Sequence, residues 1–327
     1  MGQGRLIDYM ATDVASAPAA AGTGRGRVPA PRKRRKPILP RVWHFASFGA
    51  PGVLVYLCFV MAPILISFAY SLTNYNPFNP PVKFTGLENY KLLFTDEQFL
   101  TALKVTTILT LIVVIVPNVL GLGIALLLDR RGWLYNALRS VFFTPVILSS
   151  VVVSIVWSRL LDDQGPVNNL LRTFGVDHPP GWLSDPSIAL YSVASIVCWQ
   201  QLGFCVVVYL AGLQGVPPEL LEAAEIDGAG PWRRFRAVTW PLLAPSLTIN
   251  TVVLLISAFK TYDYVKVITN GGPGSGATAT IAFGVLQTGF DSNHVGYASA
   301  MAVVMLVIVA VLTTVVLNFL RRREVDL

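Results

Sequence analysis

The sequence predicts an all-α membrane protein with six transmembrane helices. Hydrophobic residues make up 54% of the 327 residues, and charged residues make up only 13%, about half of the share usual in soluble domains. The mean hydropathy is correspondingly high, at +0.59. An α-helix needs about 20 apolar residues to cross a bilayer. Six apolar runs meet this requirement, at roughly 47–72, 100–128, 139–161, 187–213, 242–264 and 297–320.

The chain begins with a basic segment that cannot form a hydrophobic core. Residues 1–41 carry nine Lys or Arg residues, including the run Arg32–Lys36, among many Ala, Gly, Pro and Ser residues. This composition predicts a disordered tail over residues 1–42. A nucleic-acid-binding arm is an alternative, but a basic cytoplasmic tail before a first membrane span is favoured. The long polar stretch before the first apolar run argues against a cleavable signal peptide.

The remaining residues, 43–327, are predicted to form one transmembrane domain whose orientation follows from the charges of its loops. Lys and Arg accumulate on the cytoplasmic side of membrane proteins. If the N-terminus is cytoplasmic, the inside segments (the tail, residues 129–139, residues 214–241 and the C-terminus) carry eighteen Lys or Arg, whereas the outside loops carry four. Both termini and the 214–241 loop are therefore expected in the cytoplasm. The outer loops are rich in Gly, Pro and Asn, which predicts turns and short surface helices.

The residues that usually hold metals or perform catalysis are few and scattered. The three cysteines, Cys58, Cys198 and Cys205, all lie in apolar runs and are expected to be small buried hydrophobic residues. The three histidines have no spacing typical of a zinc site or a catalytic triad. The sequence therefore predicts no metal site and no catalytic residue.

The loop between the fourth and fifth spans is polar and carries the signals of two short helices. The dipeptide Pro217–Pro218 suits the first turn of a helix, and an acidic residue such as Glu219 favours that end. Gly228 and Gly230 permit a sharp turn, after which Pro231 can begin a second helix. The loop is therefore predicted to be a helix–turn–helix near the membrane surface. On its residue types alone, an ordinary basic cytoplasmic loop remains the alternative.

The order of residues in this loop resembles the cytoplasmic signature of inner-membrane permeases in binding-protein-dependent ABC importers. That signature is Glu-Ala-Ala, three residues, Gly, nine residues, Ile, any residue and Leu-Pro. In this chain Val238 replaces the Ile conservatively, whereas Trp240 is a larger replacement for the Leu. The remaining positions match at the same spacing over twenty residues, at Glu222, Ala223, Ala224, Gly228 and Pro241.

The resemblance extends over about residues 45–325 and is to the carbohydrate-uptake branch, the maltose and glycerol-phosphate type. Three further segments carry it, namely Phe84–Leu103, Thr269–Pro273 and Gly296–Ala300. Val105 departs from the branch, which often has Asn before Thr. The resemblance implies a type I ABC importer permease fold, and the Gly-Gly-Pro after the fifth span is similar to the first permease of a pair.

The resemblance also implies a heteromeric importer in a bacterial plasma (inner) membrane. Two permeases would form the pathway, two cytoplasmic ATPases would bind ATP and magnesium, and an extracytoplasmic binding protein would deliver a sugar. This chain has no GxxxxGK[ST] phosphate loop, because Gly271–Thr278 lacks the lysine. It is therefore expected to be a non-catalytic subunit without a cofactor of its own. The residues expected to couple it to the ATPases are Glu222, Ala223, Ala224, Asp227, Gly228 and Pro241.

Polar residues at the depth of the membrane are costly and are therefore candidates for a substrate pathway. Aromatic rings can stack on sugars, and amides can bond sugar hydroxyls. Three other interpretations remain open: the glutamines can join helices, Lys260 and Asp263 can form a structural ion pair, and the aromatic residues can anchor span ends. The candidate pathway residues are Trp199, Gln200, Gln201, Asn250, Lys260, Tyr262 and Asp263.

A secondary, ion-gradient-driven transporter is the alternative function. Such carriers often contain inverted repeats and buried ionisable relays. This chain has few ionisable residues within its apolar runs, and six spans are few for that class. The ABC permease is therefore favoured.

Overall fold

A computed structural model describes residues 49–274 and 276–322, so the predicted basic tail at 1–42 lies outside the described residues. By its internal contacts the chain divides into two units, Met1–Val55 and Tyr56–Leu327. The described residues are mostly helical, and the β-pairing among them is limited to one isolated bridge. The predicted all-α class is therefore confirmed for this part of the chain.

Besides two π-helical segments, Val265–Thr269 and Gln287–Asp291, the described residues contain twelve helices. In chain order they are α1 (Gly49–Ser71), α2 (Glu88–Leu93), α3 (Glu97–Leu128), α4 (Trp133–Ile147), α5 (Ser150–Leu160), α6 (Pro166–Thr173), α7 (Ala189–Gln214), α8 (Pro218–Ile226), α9 (Pro231–Leu242), α10 (Ala244–Phe259), α11 (Ile281–Leu286) and α12 (Val295–Arg321).

Four of these helices, α1, α3, α7 and α12, are each long and apolar enough to cross a membrane. Two further spans are bent pairs: α4 and α5 meet at 98°, and α9 and α10 meet at 60°. The described residues therefore contain between four and six candidate spans, and the six predicted ones are reached when each pair counts as one. The predicted third span is thus broken rather than continuous, whereas the predicted fifth span begins at the bend and contains α10.

The break between α4 and α5 follows a proline. Pro145 lies in the last turn of α4 and has no N–H to donate to the preceding turn. Leu148 and Ser149 then adopt extended backbone conformations, with ψ values of 145° and 138°. We call this break the elbow; it leaves the carbonyl of Leu148 without a place in a regular helix.

Helix α7 lies at the centre of the packed core. It packs against α3, α4 and α10, and its Val193, Ala194 and Tyr209 are almost fully buried. A side chain at Gly203 would overlap the carbonyl oxygen of Phe142 on α4, so glycine is required there for the two helices to approach this closely. Because α7 contacts most of the other long helices, its polar residues can reach several of them.

The cysteines follow the predicted pattern only in part. Cys198 and Cys205 on α7 are buried, as expected. Cys58 on α1 is exposed, and the prediction of burial is wrong there. An apolar run in a membrane helix can face lipid as well as a protein core, so hydropathy alone does not imply contact with other helices.

The segments that carry the family resemblance lie together at one end of the helices. Asn89 of α2 donates from Nδ2 to the carbonyl oxygens of Ser71 and Thr73, at 2.8 Å each. The hydroxyl of Tyr297 on α12 donates to Oδ2 of Asp96, at 2.5 Å, and Asp96 also caps the start of α3. These motifs therefore connect the ends of α1, α3 and α12 to one another.

Candidate functional site

Helices α8 and α9 form the predicted helix–turn–helix, and the turn depends on one glycine. Helix α8 begins at Pro218 and carries an acid, Glu219, in its first turn. At its end the amide of Ala229 donates to the carbonyl of Ala224, at 2.9 Å, which closes the helix. Gly228 has a φ of 74°, a conformation that other residues adopt only at a cost. The predicted turn at Gly228 is confirmed.

Helix α8 presents carboxylates and small side chains to its surroundings. Glu222 and Ala223 are exposed, and Ala224 is half-buried. Among the described residues the ion pairs are Arg234–Glu225, at 3.1 Å, and Lys266–Asp291, at 3.7 Å. The carboxylate of Glu222 is therefore unpaired, whereas that of Glu225 ties α8 to α9.

Two large apolar side chains stand beside these residues and are not among the predicted coupling residues. Ile226 is 86% exposed at the end of α8, and Trp232 is 72% exposed at the start of α9. Exposed aliphatic and aromatic groups next to an unpaired acid are typical of a surface that contacts another protein. In the sequence, the apolar Ile226 two residues before the turn glycine was the feature that could have indicated this surface.

The two departures from the signature lie on the second helix, and Trp240 belongs to a row of aromatic rings. Its ring lies 6.2 Å from that of Phe235, which in turn stacks on Trp232 at 5.7 Å. Residues Phe235–Thr239 form a widened π-helical turn just before Pro241. Trp240, which stands where the signature has Leu, therefore extends an aromatic cluster along α9.

Gln200 joins three parts of the molecule around the elbow. It is 6% exposed, and its Nε2 donates to the carbonyl of Leu148, at 2.8 Å. Its Oε1 accepts a hydrogen bond from the hydroxyl of Tyr264, at 2.6 Å. The carbonyl freed by the break is thus satisfied by α7, and α7 is held in turn by the segment that follows α10.

Asp263 approaches the elbow from the same segment. Its Oδ2 accepts a hydrogen bond from the hydroxyl of Ser150, the first residue of α5, at 2.6 Å. A carboxylate at the start of a helix is also stabilised by the helix dipole. Lys260 does not pair with Asp263, because neither residue belongs to the two ion pairs found in the described residues. The predicted alternative of a Lys260–Asp263 ion pair is wrong.

Three other predicted pathway residues have different surroundings. Trp199 is 40% exposed and meets Trp157 of α5 edge to face, with ring centroids 5.6 Å apart. Tyr262 stacks on Phe283 at 6.3 Å. Gln201 is half-buried.

Asn250 on α10 is fully buried and serves a helix contact. Its Nδ2 donates to the carbonyl of Cys205 on α7, at 3.5 Å. Gln200 and Asp263 are therefore brought together at the elbow, Trp199 contacts α5 further along, and Asn250 lies in the contact between α7 and α10.

The sequence matches a known family model over residues 117–325, described as "Binding-protein-dependent transport system inner membrane component". It is 30% identical to the "Probable starch degradation products transport system permease protein AmyD" of Thermoanaerobacterium thermosulfurigenes, over 90% of this chain and 99% of that protein. It is 38% identical to the "Probable ABC transporter permease protein YesP" of Bacillus subtilis, over 82% of this chain and 87% of that protein.

Two further proteins are similar to this chain, one in sequence and one in fold. The chain is 32% identical to the "Trehalose/maltose transport system permease protein MalF" of Thermococcus litoralis, over 84% of this chain and 92% of that protein. Its fold is similar to a chain of a bacterial alginate ABC transporter solved in complex with a pentasaccharide-bound periplasmic protein, with a TM-score of 0.72, 24% identity and coverage of 87% and 96%. With its apolar helices, this chain therefore belongs to the family of binding-protein-dependent transport system inner membrane components, the permease subunits of ABC transporters.

Proposed function

We propose that this chain is a transmembrane subunit of an ATP-driven ABC importer that carries a sugar or sugar derivative. The observation that carries the proposal is the similarity along nearly the whole chain to permeases named for starch degradation products and for trehalose and maltose. The chain would work as a multi-pass protein of a bacterial plasma membrane. It performs no chemistry in this proposal, since the family consists of permease subunits.

The rest of the importer is supplied by partners in this proposal. A second permease completes the pathway, two ATPase subunits bind ATP and magnesium, and an extracytoplasmic protein delivers the sugar. Both termini of this chain face the cytoplasm, because eighteen of its Lys and Arg residues then lie inside and four lie outside. Helices α8 and α9 also face the cytoplasm in this orientation.

The surface of α8 is the proposed contact with an ATPase. The exposed Glu222 provides the polar contact, and the small Ala223 and Ala224 allow a partner to approach closely. Ile226 adds an apolar anchor that loses its exposure to water on docking. Gly228 sets the angle between α8 and α9. Asp227 directly follows α8, and Pro241 lies in the last turn of α9. Closure of the ATPases then moves α8 and α9 as a unit.

The proposed pathway lies beside the elbow. Trp199 offers an exposed ring on which a sugar can stack, and Gln200 and Asp263 supply polar groups at the elbow. Gln201, Lys260 and Tyr262 extend the same region in the proposal. Asn250 is the least accessible member, since it is fully buried. Gln200 and Asp263 each keep hydrogen-bonding groups that their structural bonds do not use.

Reconstitution tests this function. The full chain is placed in proteoliposomes with candidate second-permease, ATPase and binding-protein subunits from the same organism, and uptake of labelled malto-oligosaccharides and other sugars is measured. We expect uptake to require ATP and the binding protein. Uptake driven by an ion gradient without ATP would refute the proposal in favour of a secondary transporter.

The coupling contact has a separate test in Glu222→Lys. We expect this variant to insert normally but to lose co-purification with the ATPases, because a repulsive charge replaces the polar contact. Glu219→Lys is the matched control, since it makes the same charge change at another exposed acid one turn earlier on α8. Equal ATPase binding by the Glu222→Lys variant and wild type would contradict the docking role.

A further inference from the structure

A basic pocket lies where the end of α3 and the start of α4 meet the connection from α7 to α8. Its volume is about 680 Å³. One wall contains Asp129, Arg130, Arg131 and Arg139, and the opposite wall includes Gln214 and Pro218. We call it the basic notch. Three guanidinium groups face one carboxylate, so the notch carries a net positive charge.

The guanidinium of Arg139 holds the shape of the notch. One of its terminal nitrogens, Nη2, donates to the carbonyl oxygens of Leu128, at 2.7 Å, and Arg130, at 3.1 Å. The other, Nη1, donates to Oδ1 of Asn136, at 3.3 Å. Arg139 therefore closes the C-terminal end of α3, where a positive charge is also favoured by the helix dipole.

The other two arginines of the notch are available to a ligand. Arg130 and Arg131 are exposed, and neither belongs to the ion pairs of residues 49–274 and 276–322. Their guanidinium groups can donate paired hydrogen bonds to the oxygens of a phosphate. The Nε atom of Arg139 is buried and has no hydrogen-bond partner among the described residues. The notch therefore has unused donors for an anion.

The surroundings of the notch place it at the edge of the bilayer. Helix α4 begins there with Trp133, which is 81% exposed, and Leu134, which is 51% exposed. Tryptophan is enriched where the hydrocarbon core meets the headgroups, and basic residues beside it attract anionic lipids.

We propose that the basic notch binds the phosphate of an anionic phospholipid such as phosphatidylglycerol, with Arg130 and Arg131 as its ligands and Trp133 beside its glycerol and acyl region. The second wall of the notch is the root of α8, because Pro218 is the first residue of that helix. A bound headgroup therefore fixes the position of α8 relative to the end of α3. This site is separate from the sugar pathway and from the ATPase contact.

Native mass spectrometry of the full chain measures this binding. The purified protein is titrated with phosphatidylglycerol and, separately, with zwitterionic phosphatidylcholine of the same acyl chains. We expect one tightly retained phosphatidylglycerol, and roughly thirtyfold weaker binding in the double variant Arg130→Gln/Arg131→Gln. The double variant Arg233→Gln/Arg236→Gln removes the same charge from α9 and is expected to retain the lipid.

A second variant separates binding from misfolding. Asp129→Asn removes the carboxylate of the notch and is expected to tighten phosphatidylglycerol binding about fivefold, a gain that a damaged protein would not show. Inorganic phosphate at millimolar concentration is the competing soluble anion, and we expect it not to displace the lipid. Each of these results supports the assignment.

Four outcomes would overturn the proposal. Equal lipid binding by the wild type and the Arg130→Gln/Arg131→Gln variant would show that the notch is not the site. Equal losses in both double variants would indicate diffuse attraction to the basic surface. Displacement of the lipid by inorganic phosphate would assign the notch to a soluble anion. Displacement of the lipid by added ATPase, together with loss of ATPase binding in the Arg130→Gln/Arg131→Gln variant, would assign the notch to the ATPase.

Discussion

Replacing Gln200 by leucine tests whether its side chain holds the elbow together. Leucine is similar in size and apolar, so the change removes two hydrogen bonds with little change in packing. The carbonyl of Leu148 and the hydroxyl of Tyr264 then lose their partner, at sites where both hydrogen bonds are partly buried. The tertiary connections of the elbow to α7 and to the segment after α10 are weakened together.

The magnitude follows from the number of bonds and their burial. Hydrogen bonds between membrane helices contribute about 0.6 kcal/mol on average and at most about 1.7 kcal/mol. A buried polar group that is left without a partner costs about 1–3 kcal/mol. The Gln200→Leu variant should therefore lose about 1–3 kcal/mol of unfolding free energy. Tyr264→Phe removes only one of the two bonds and should lose about 1 kcal/mol or less.

Unfolding of the purified protein in mixed detergent micelles measures both variants and their combination. Because the two side chains share a hydrogen bond, the double variant should lose less than the sum of the single losses, by about 0.5–1.5 kcal/mol. Gln201→Leu is the matched control, since the same replacement is made one residue along α7, where the side chain is half-buried. A wild-type stability for Gln200→Leu, or additive losses with Tyr264→Phe, would refute the reasoning.

Three further changes have defined outcomes in the same unfolding assay. Gly228→Ala should lose about 1–2 kcal/mol, because its φ of 74° is costly for alanine, whereas Gly230→Ala, with a φ of −64° and open space around it, should lose less than about 0.5 kcal/mol. Gly296→Ala should lose about 1–3 kcal/mol, because the added carbon would overlap the carbonyl oxygen of Thr73. Asp263→Asn should leave stability within about 0.5 kcal/mol but reduce sugar uptake in the reconstituted importer.

Each of these predictions has an outcome that would contradict it. A stable Gly228→Ala variant would mean that α8 can end without a left-handed residue. For Gly296, the comparison is Gly284→Ala, whose nearest neighbour is the flexible end of Met301 at 3.0 Å, and equal losses in the two would argue against a rigid contact. Full uptake by Asp263→Asn would exclude a role for its charge in transport.

The α8–α9 turn could be predicted because the signals that set it are local. A proline begins each helix, and Gly228 supplies the left-handed conformation at the junction. None of these features depends on distant residues. The exposure of Ile226 was not predicted, because it depends on the absence of neighbouring helices over the end of α8, which a periodic pattern does not record.

The elbow could not be predicted in the same way, because hydropathy measures composition and not direction. Residues 139–161 are apolar on both sides of the break, so they read as one span. What permits a 98° bend there is a distant side chain, Gln200, that satisfies the carbonyl of Leu148. The broken third span, like the exposed Cys58, therefore depends on tertiary contacts that the sequence alone does not display.

The hydrogen bonds at the elbow are compatible with a direct role in transport, because they leave capacity unused. An amide nitrogen has two N–H groups and an amide oxygen has two lone pairs, and Gln200 uses one of each. Asp263 uses one oxygen for Ser150 and has a second. A sugar hydroxyl can therefore bond either group while the elbow stays closed. Asparagine at position 263 can still accept from Ser150 but carries no charge, so a loss of uptake without a loss of stability would separate contact with substrate from support of the fold.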